Sequence, residues 1–378
     1  MKQPIFDSRR KLARQTSVVL SCLLLTLNGM PAEAACPAGS GSTLILRAPA
    51  GNLTVDTSAA GVIEISLSSK AIQLQEVCGA DVIRVEGVAT AALREIVDWK
   101  IRVPKTVNLD LMTNGGSITV IGNSEGEVIL RTSGGSVTAQ NIKRKATLYT
   151  QAGSIRVFDI GGNAELRSEG GNLELGNVGG DAFLKTASGW IRSGNIGGSV
   201  TAETGGGNIT IKNTGGERFL ATTKAGNISV SGAGRIEART EGGAINVGRA
   251  RGAFLGHTDI GDIKIDQASG SVDAVSGFGD IFVRLDPDSL GSNYHINIQT
   301  GNGDITFYLP ETMRASIDAS VDRVASNARQ PIIADFPMTR SAFSSLLPTN
   351  AQSGVRNGGG PPMTMRAATG TIQIRFNP

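Results

Sequence analysis

Apolar and polar residues alternate in short bursts along most of this chain, and each burst ends at glycine. In the stretch Thr147 to Ala164, Leu148 and Thr150 lie two apart and so share one side of a strand, while Tyr149 points away. Ala152-Gly153 turns the chain, Ile155 and Val157 form a second inward pair with Arg156 outward, Ile160 fills a corner, and Gly161-Gly162 makes the next turn. The phrase recurs eleven times, with a Thr or Ser three residues before a Gly and an aliphatic residue two after it. The glycines are 116, 135, 153, 171, 189, 207, 226, 243, 261, 279 and 303, spaced by 19, 18, 18, 18, 18, 19, 17, 18, 18 and 24. A fixed period near 18 marks a repeat architecture, and period-two strands between glycine turns predict one coil of a β-solenoid, or β-helix, per repeat. Coils stacked at about 4.8 Å would build a rod on the order of 50 Å long. Handedness, and the choice between two and three faces, stay open.

The inward row just before the glycines is Thr113, Thr132, Thr150, Ser168, Thr186, Thr204, Thr223, Thr240, Thr258, Ser276 and Thr300. Threonine suits a strand because it is β-branched, and its hydroxyl can satisfy backbone groups of the adjacent turn. Two residues earlier the row reads Leu130, Leu148, Leu166 and Leu184, then Ala202, Ala221 and Ala238, which predicts a core that narrows after the fourth of these coils.

The flanks follow the rhythm less closely. Residues 35–108 are β-rich but off the period, although Asn52-Leu53-Thr54-Val55 echoes the repeat, and Pro104 marks the boundary because it cannot donate to a central ladder. They read as an N-terminal β cap, as expected over an otherwise exposed solenoid end. The repeats occupy 109–313. Residues 314–378 are rich in Pro and Gly, with a short helix expected near Ser341 to Leu347 and a closing strand at Thr369 to Ile374. This segment reads as a loop-rich C-terminal cap.

Residues 1–34 read as a signal peptide: Arg9, Arg10, Lys11 and Arg14, an apolar core from Ser17 to Leu27, and a small-x-small site at Ala32-Glu33-Ala34. The apolar core is too short to span a bilayer, so an exported protein without a transmembrane anchor after cleavage is expected, either periplasmic, surface-associated or secreted. This segment holds five cations and two carboxylates, a net of +3, and the whole chain is also +3, so the mature protein is formally neutral. A nucleic-acid partner therefore has no electrostatic support. Cys36 and Cys78 remain after Cys22 is removed, and in an oxidising compartment a disulfide between them is expected. With 50 glycines and 4% aromatics, the composition fits short strands and many tight turns.

Catalytic chemistry is hard to assemble. The two histidines, His257 and His295, lie 38 residues apart, and His257 falls in an outward row that carries Arg131, Tyr149, Arg167 and Lys185 in other coils. That row, a basic strip with one aromatic, is the candidate ligand surface, with Trp190 and Phe282 as further contact residues. The positions just after the glycine, Asp262, Asp280 and Asp304, would stack carboxylates in successive coils. They are weak calcium candidates and the basis of an alternative as a polysaccharide-active β-helix enzyme. The same position elsewhere holds Ser117, Ser136, Ser154, Asn172, Asn208 and Asn227, which favours turn-forming residues. No cofactor and no firm metal site are expected.

The Thr/Ser-x-x-Gly-x-Ile/Val-x-Val repeat led by Ile101-Arg102-Val103-Pro104, with Ile305-Thr306-Phe307-Tyr308-Leu309-Pro310 and Gly370-Thr371-Ile372-Gln373-Ile374 after it, resembles a bacterial adhesin-like β-solenoid family of unknown function. The resemblance covers roughly residues 44–378 and implies an all-β solenoid fold, its motifs being structural and silent about activity. It supplies no catalytic residues. The expected protein is an exported envelope binding or scaffold element, monomeric, whose partner is a glycan or another envelope protein. A third reading, a structural protein assembling end to end, is disfavoured by the C-terminal segment that would cover one end.

Overall fold

The computed structural model describes residues 33–93, 95–286, 294–323, 331–340 and 350–378. Residues 1–32 of the expected signal, the helix expected near Ser341 to Leu347 and most of the insertion after Asp286 lie outside the described residues. Everything described is strand or turn, and the strands form two long sheets of 17 and 18 members. Strands ending in the Thr row make one (the Thr sheet), and strands beginning after the glycine make the other (the Ile sheet). Their inward residues meet in one continuous aliphatic core. The protein is a β-solenoid with two sheets.

The 18-residue beat is the pairing register itself. Val128–Thr132 pairs in parallel with Ala146–Thr150, so that Leu130 meets Leu148 and Thr132 meets Thr150. Val137–Ile142 likewise lies on Ile155–Ile160, with Val137 on Ile155 and Ile142 on Ile160. Each coil thus stacks like on like, and one side-chain type per row satisfies many coils at once.

The Thr row is buried throughout and does more than fit the pleat. Thr150 Oγ1 donates to the carbonyl of Gly135 in the preceding coil at 2.7 Å and accepts the Gly153 N–H of its own turn at 3.1 Å. Thr186 repeats this with Gly171 and Gly189 at 2.7 and 3.3 Å. Each hydroxyl therefore staples a turn to the turn beneath it, satisfying backbone groups that would otherwise be buried unpaired. The glycines are required by the same closeness: a Cβ on Gly171 would sit 2.0 Å from the Gly153 carbonyl oxygen.

The expected narrowing of the core does not occur. Where Leu gives way to Ala202, Ala221 and Ala238, the buried position two residues earlier enlarges from Ala146, Ala164 and Ala182 to Val200, Phe219 and Ile236. At Gly256 the Phe254 ring fills the space, since a Cβ there would meet its Cζ at 2.3 Å. Bulk is passed along the strand, because an interior packed to crystal-like density tolerates exchange of volume but not its loss.

Chain order and spatial order part company at both ends. Thr43–Ala48 lies between Val82–Ala89 and Asn108–Thr113, and Asn52–Asp56 lies between Asp98–Arg102 and Ile118–Ser124. The chain lays an inner coil, builds outward through 62–102, and then crosses back to start the repeats. At the far end, Ile372–Phe376 pairs onto Ile305–Leu309 as expected, but it is no closing strand. It is sandwiched by Ile332–Ala334, just as Pro362–Thr369 is sandwiched between Ile296–Asn302 and Ala315–Arg323. The physical reason is that all these strands offer the same ladder, so the last coil finds two partners instead of one.

Beyond these intercalated coils the strand direction reverses. Glu33–Pro37 runs antiparallel to Val62–Leu67, and Ile72–Cys78 antiparallel to Val82–Ala89. Asn350–Arg356 is antiparallel to Ala315–Arg323. Cys36 and Cys78, one in the outermost strand of each sheet, are joined in a disulfide that locks the N-terminal rims together. Trp99, the largest fully buried side chain, pairs between Leu53 and Leu67 in the cap and donates its indole N–H to the Ala50 carbonyl at 3.0 Å.

Candidate functional site

The structure divides the sequence-derived surface residues between two faces. Arg131, Tyr149, Arg167 and Lys185 stack in register on the outer face of the Thr sheet. Phe282 stands outward on the Ile sheet beside Lys264, and Trp190 sits at a turn entering that sheet. On the Thr sheet each of these four side chains has a protein partner. Arg131 pairs with Asp110 at 3.2 Å, Arg167 with Glu165 at 3.0 Å and Lys185 with Glu203 at 2.6 Å. Tyr149 donates to Glu169 at 3.0 Å; burial first, and this bond second, push its hydroxyl pKa up. His257 takes its place in the ladder between Arg239 and Val275, its Nε2 2.9 Å from Asp259.

The acidic row is built into the turns. Asp262 Oδ1 accepts the Asp280 N–H at 2.8 Å, Asp280 accepts the Asp304 N–H at 2.7 Å, and Asp304 accepts the Thr371 N–H at 2.7 Å. The Asn and Ser members use the same bond, as where Asn172 accepts the Trp190 N–H at 3.0 Å. Among the described residues these three carboxylates do not converge at metal-ligand distance; the one such cluster is Cys36, Glu76 and Cys78, whose sulfurs are already bonded to each other.

Concave surface lies on the Ile-sheet side instead. Two adjoining depressions, about 490 and 720 Å³, share Asn213 and Arg251. One end is floored by an amide ladder. Asn177 donates to Asp159 at 3.1 Å, Asn195 to Asn177 at 3.3 Å and Asn213 to Asn195 at 3.1 Å. The ladder stops at Gly232, which pairs with Asn213 and brings no amide. At the other end Arg249, Arg251 and Arg284 line the first depression with Asp266.

This place coincides with the one irregular pair of spacings among the middle coils, 19 and then 17. The connection from Ala233 into Arg235–Gly242 is a single residue, whereas the coil beneath uses Gly215, Gly216 and Glu217 before Arg218–Thr223. Arg251 reaches back across the shortened coil to donate to the Thr214 carbonyl. Arg249 Nε donates to Gln267 Oε1 at 2.6 Å. The Arg284 guanidinium lies 5.8 Å from the Phe282 ring and 5.5 Å from the Tyr308 ring, and its Nε is buried with no acceptor. Of these residues the sequence points to Phe282 alone. The Asn row recurs every 18 residues and was there to be read; the arginines share no row and were not.

No family model matches the chain, and no curated protein matches it in sequence. Among solved structures it is similar to a putative adhesin from Bacteroides fragilis, at 15% identity over 55% of this chain and 97% of that one, with a TM-score of 0.36. A putative cell adhesion protein from Clostridium sporogenes covers 92% of this chain and 100% of its own at 10% identity and a TM-score of 0.19. A putative lipid binding protein from Parabacteroides distasonis covers 74% and 97% at 11% and 0.23. Among the described residues no helix is long and apolar enough to cross a membrane.

Proposed function

We propose that this protein is an exported, non-enzymatic member of the adhesin-like solenoids, a binding element of the cell envelope that engages an extended glycan along the Ile-sheet groove. The observation that carries this reading is the continuity of the groove across successive coils, from Asn177 through Asn213 to Arg251. An extended, regularly repeating ligand is what such a surface suits, since amides spaced by one coil present donors and acceptors at a fixed interval. Among the residues an enzyme would need, His257 is held by Asp259, and Asp262, Asp280 and Asp304 each accept a backbone N–H of the next turn. The protein acts as a rod that presents this face.

A glycan array run beside a hydrolysis screen on polysaccharides tests the reading. Binding without turnover, weakened by Asn195→Ala and untouched by Asp280→Asn, is the expected result. Hydrolysis that disappears in Asp280→Asn would sink it. Export is tested by sequencing the N-terminus of the secreted protein, expected at Ala35. Cleavage there would remove Glu33 and Ala34, which otherwise pair with Ser66 and Ile65 in the rim strand.

A further inference from the structure

We infer that the arginine end of the groove is an oxyanion subsite, and that the glycan it takes is acidic, carrying carboxylate or sulfate groups. The inference rests on the groove reading and adds the charge of the ligand. Outward cations on this molecule are repeatedly neutralised by a carboxylate on the same or a neighbouring coil, as in Arg156–Glu174 at 2.7 Å and Arg218–Glu237 at 3.4 Å. Arg249, Arg251 and Arg284 have no carboxylate partner among the described residues, and unlike the other unpaired cations they gather around one depression. Their hydrogen-bond partners among the described residues are an amide oxygen and a backbone carbonyl, and Arg284 has only ring faces beside it. The carboxylate in the depression, Asp266, lies 3.1 Å from Lys264, which spends it. Arg249, Arg251 and Arg284 against Asp266 give the lining of this cavity a net of +2, and Lys264 beside it pairs with Asp266.

Three arginines around one cavity repel one another, and among the described residues the lining sets against them the single carboxylate of Asp266, which Lys264 already pairs. A guanidinium offers a planar fork that matches carboxylate and sulfate oxygens. Arg251 and Arg284 are also held in place by other contacts, Arg251 by the Thr214 carbonyl and Arg284 by the two aromatic rings, so less freedom is lost on binding. The Asn ladder leading away from Asn213 extends the contact to sugar hydroxyls, which favours a polymer over a free anion.

The test is affinity electrophoresis and calorimetry of the full exported chain with polygalacturonate, dextran sulfate, neutral dextran and inorganic polyphosphate. Polygalacturonate or dextran sulfate should bind, neutral dextran should not, and raising the salt should weaken binding. Arg249→Gln and Arg284→Gln should each weaken it about tenfold. Arg251→Lys should retain part of it, and Arg102→Gln, in the N-terminal cap, should leave it unchanged. Melting curves of each variant check that the rod is intact. Arginine variants that bind like the wild type, or polyphosphate binding as tightly as the acidic glycans, would overturn the inference. Neutral dextran bound by the wild type and lost in Asn195→Ala would overturn it while leaving the groove reading standing; no binding by any probe would remove both.

Discussion

The coil at 146–160 and the coil at 362–376 are made alike and placed by opposite rules. Both carry an inward strand on the Thr sheet and a second on the Ile sheet, in register with their neighbours. The first sits between the coils that precede and follow it in sequence. The second sits between a coil that ends some fifty residues earlier and one that the chain has already completed beyond it. The first coil of the N-terminal region, at 43–56, is intercalated in the same way. In the middle, then, each coil depends on its sequence neighbours alone, as in repeat proteins generally. At the ends a distant segment is the mortar between two layers, and nothing local replaces it.

The largest effects should come from attacking this difference directly. Truncation after Gly360 removes Met363, Met365, Ile372 and Ile374, all fully buried. At roughly 1.5–3 kcal/mol for each large side chain, that is on the order of 6–12 kcal/mol, as much as a whole domain's usual stability. It also bares strand edges on both sides of the gap. The truncated protein should lose its cooperative melt and aggregate on size exclusion. Excision of Leu148–Glu165, also one coil long, joins Thr147 to Leu166 and keeps every row in step. That protein should remain folded, monomeric and only a few degrees less stable. If the two deletions behave alike, the contrast between middle and end is wrong.

Next in size is the N-terminal rim. The Cys36–Cys78 disulfide closes 42 residues and joins the outermost strands of the two sheets. Loss of such a link costs about 2–4 kcal/mol. If the chain is cut before Ala35, only Ala35, Cys36 and Pro37 remain to pair with Glu64, Ile63 and Val62, and the disulfide is what holds so short a strand. In a Cys36→Ser, Cys78→Ser protein, the amides at position 36 and at 72–78 should exchange far faster, while those of 128–160 keep their protection. Uniform loss across the rod would show that the cap and the repeats unfold as one unit.

Within the regular coils the test is smaller. Thr150→Val keeps the shape of a fully buried side chain and removes its hydroxyl, leaving the Gly135 carbonyl and the Gly153 N–H without it. A cost of about 1–3 kcal/mol is expected, read as a lower urea midpoint with an unchanged slope, and Thr150→Ser should recover most of it.

These rows were legible because one residue type recurs at one position. The Thr hydroxyls, the stacked glycines and the aliphatic pairs are assigned to coils by their spacing alone. What could not be read is which coil lies on which. Thr43–Ala48 and Pro362–Thr369 carry the same pleated pattern as every other strand, and a pattern shared by all strands cannot choose partners. The core width misled for a related reason: the Leu-to-Ala change was followed along one row, while Phe219 and Phe254 compensated in the next. The arginine site was hidden because its members come from different rows and meet only where one coil is a residue short.

The smallest expected effect lies at the outer edge of the C-terminal end, where Asp335 ties the intercalated coil to the strand beyond it. Its carboxylate accepts Arg375 Nη1 at 2.7 Å and the Phe376 N–H at 3.0 Å. The Arg375 hydrogen bond first, and the backbone bond second, hold its pKa below the ordinary aspartate value. A depressed folded-state pKa contributes stability that is present above the unfolded value, about 3.9, and is lost as pH falls through the folded one. The pair is about one-third exposed, 34% for Arg375 and 32% for Asp335, so solvent screening keeps its contribution to about 1 kcal/mol or less. Asp335→Asn should therefore melt slightly below the wild type at pH 6, with the gap closing as the pH approaches 2. Exchange at the Phe376 and Asn377 amides should quicken in the variant at pH 6 and match the wild type in acid. A gap that persists unchanged into acid would mean that the variant acts through packing, and that charge does not fasten the last strand to the outer layer.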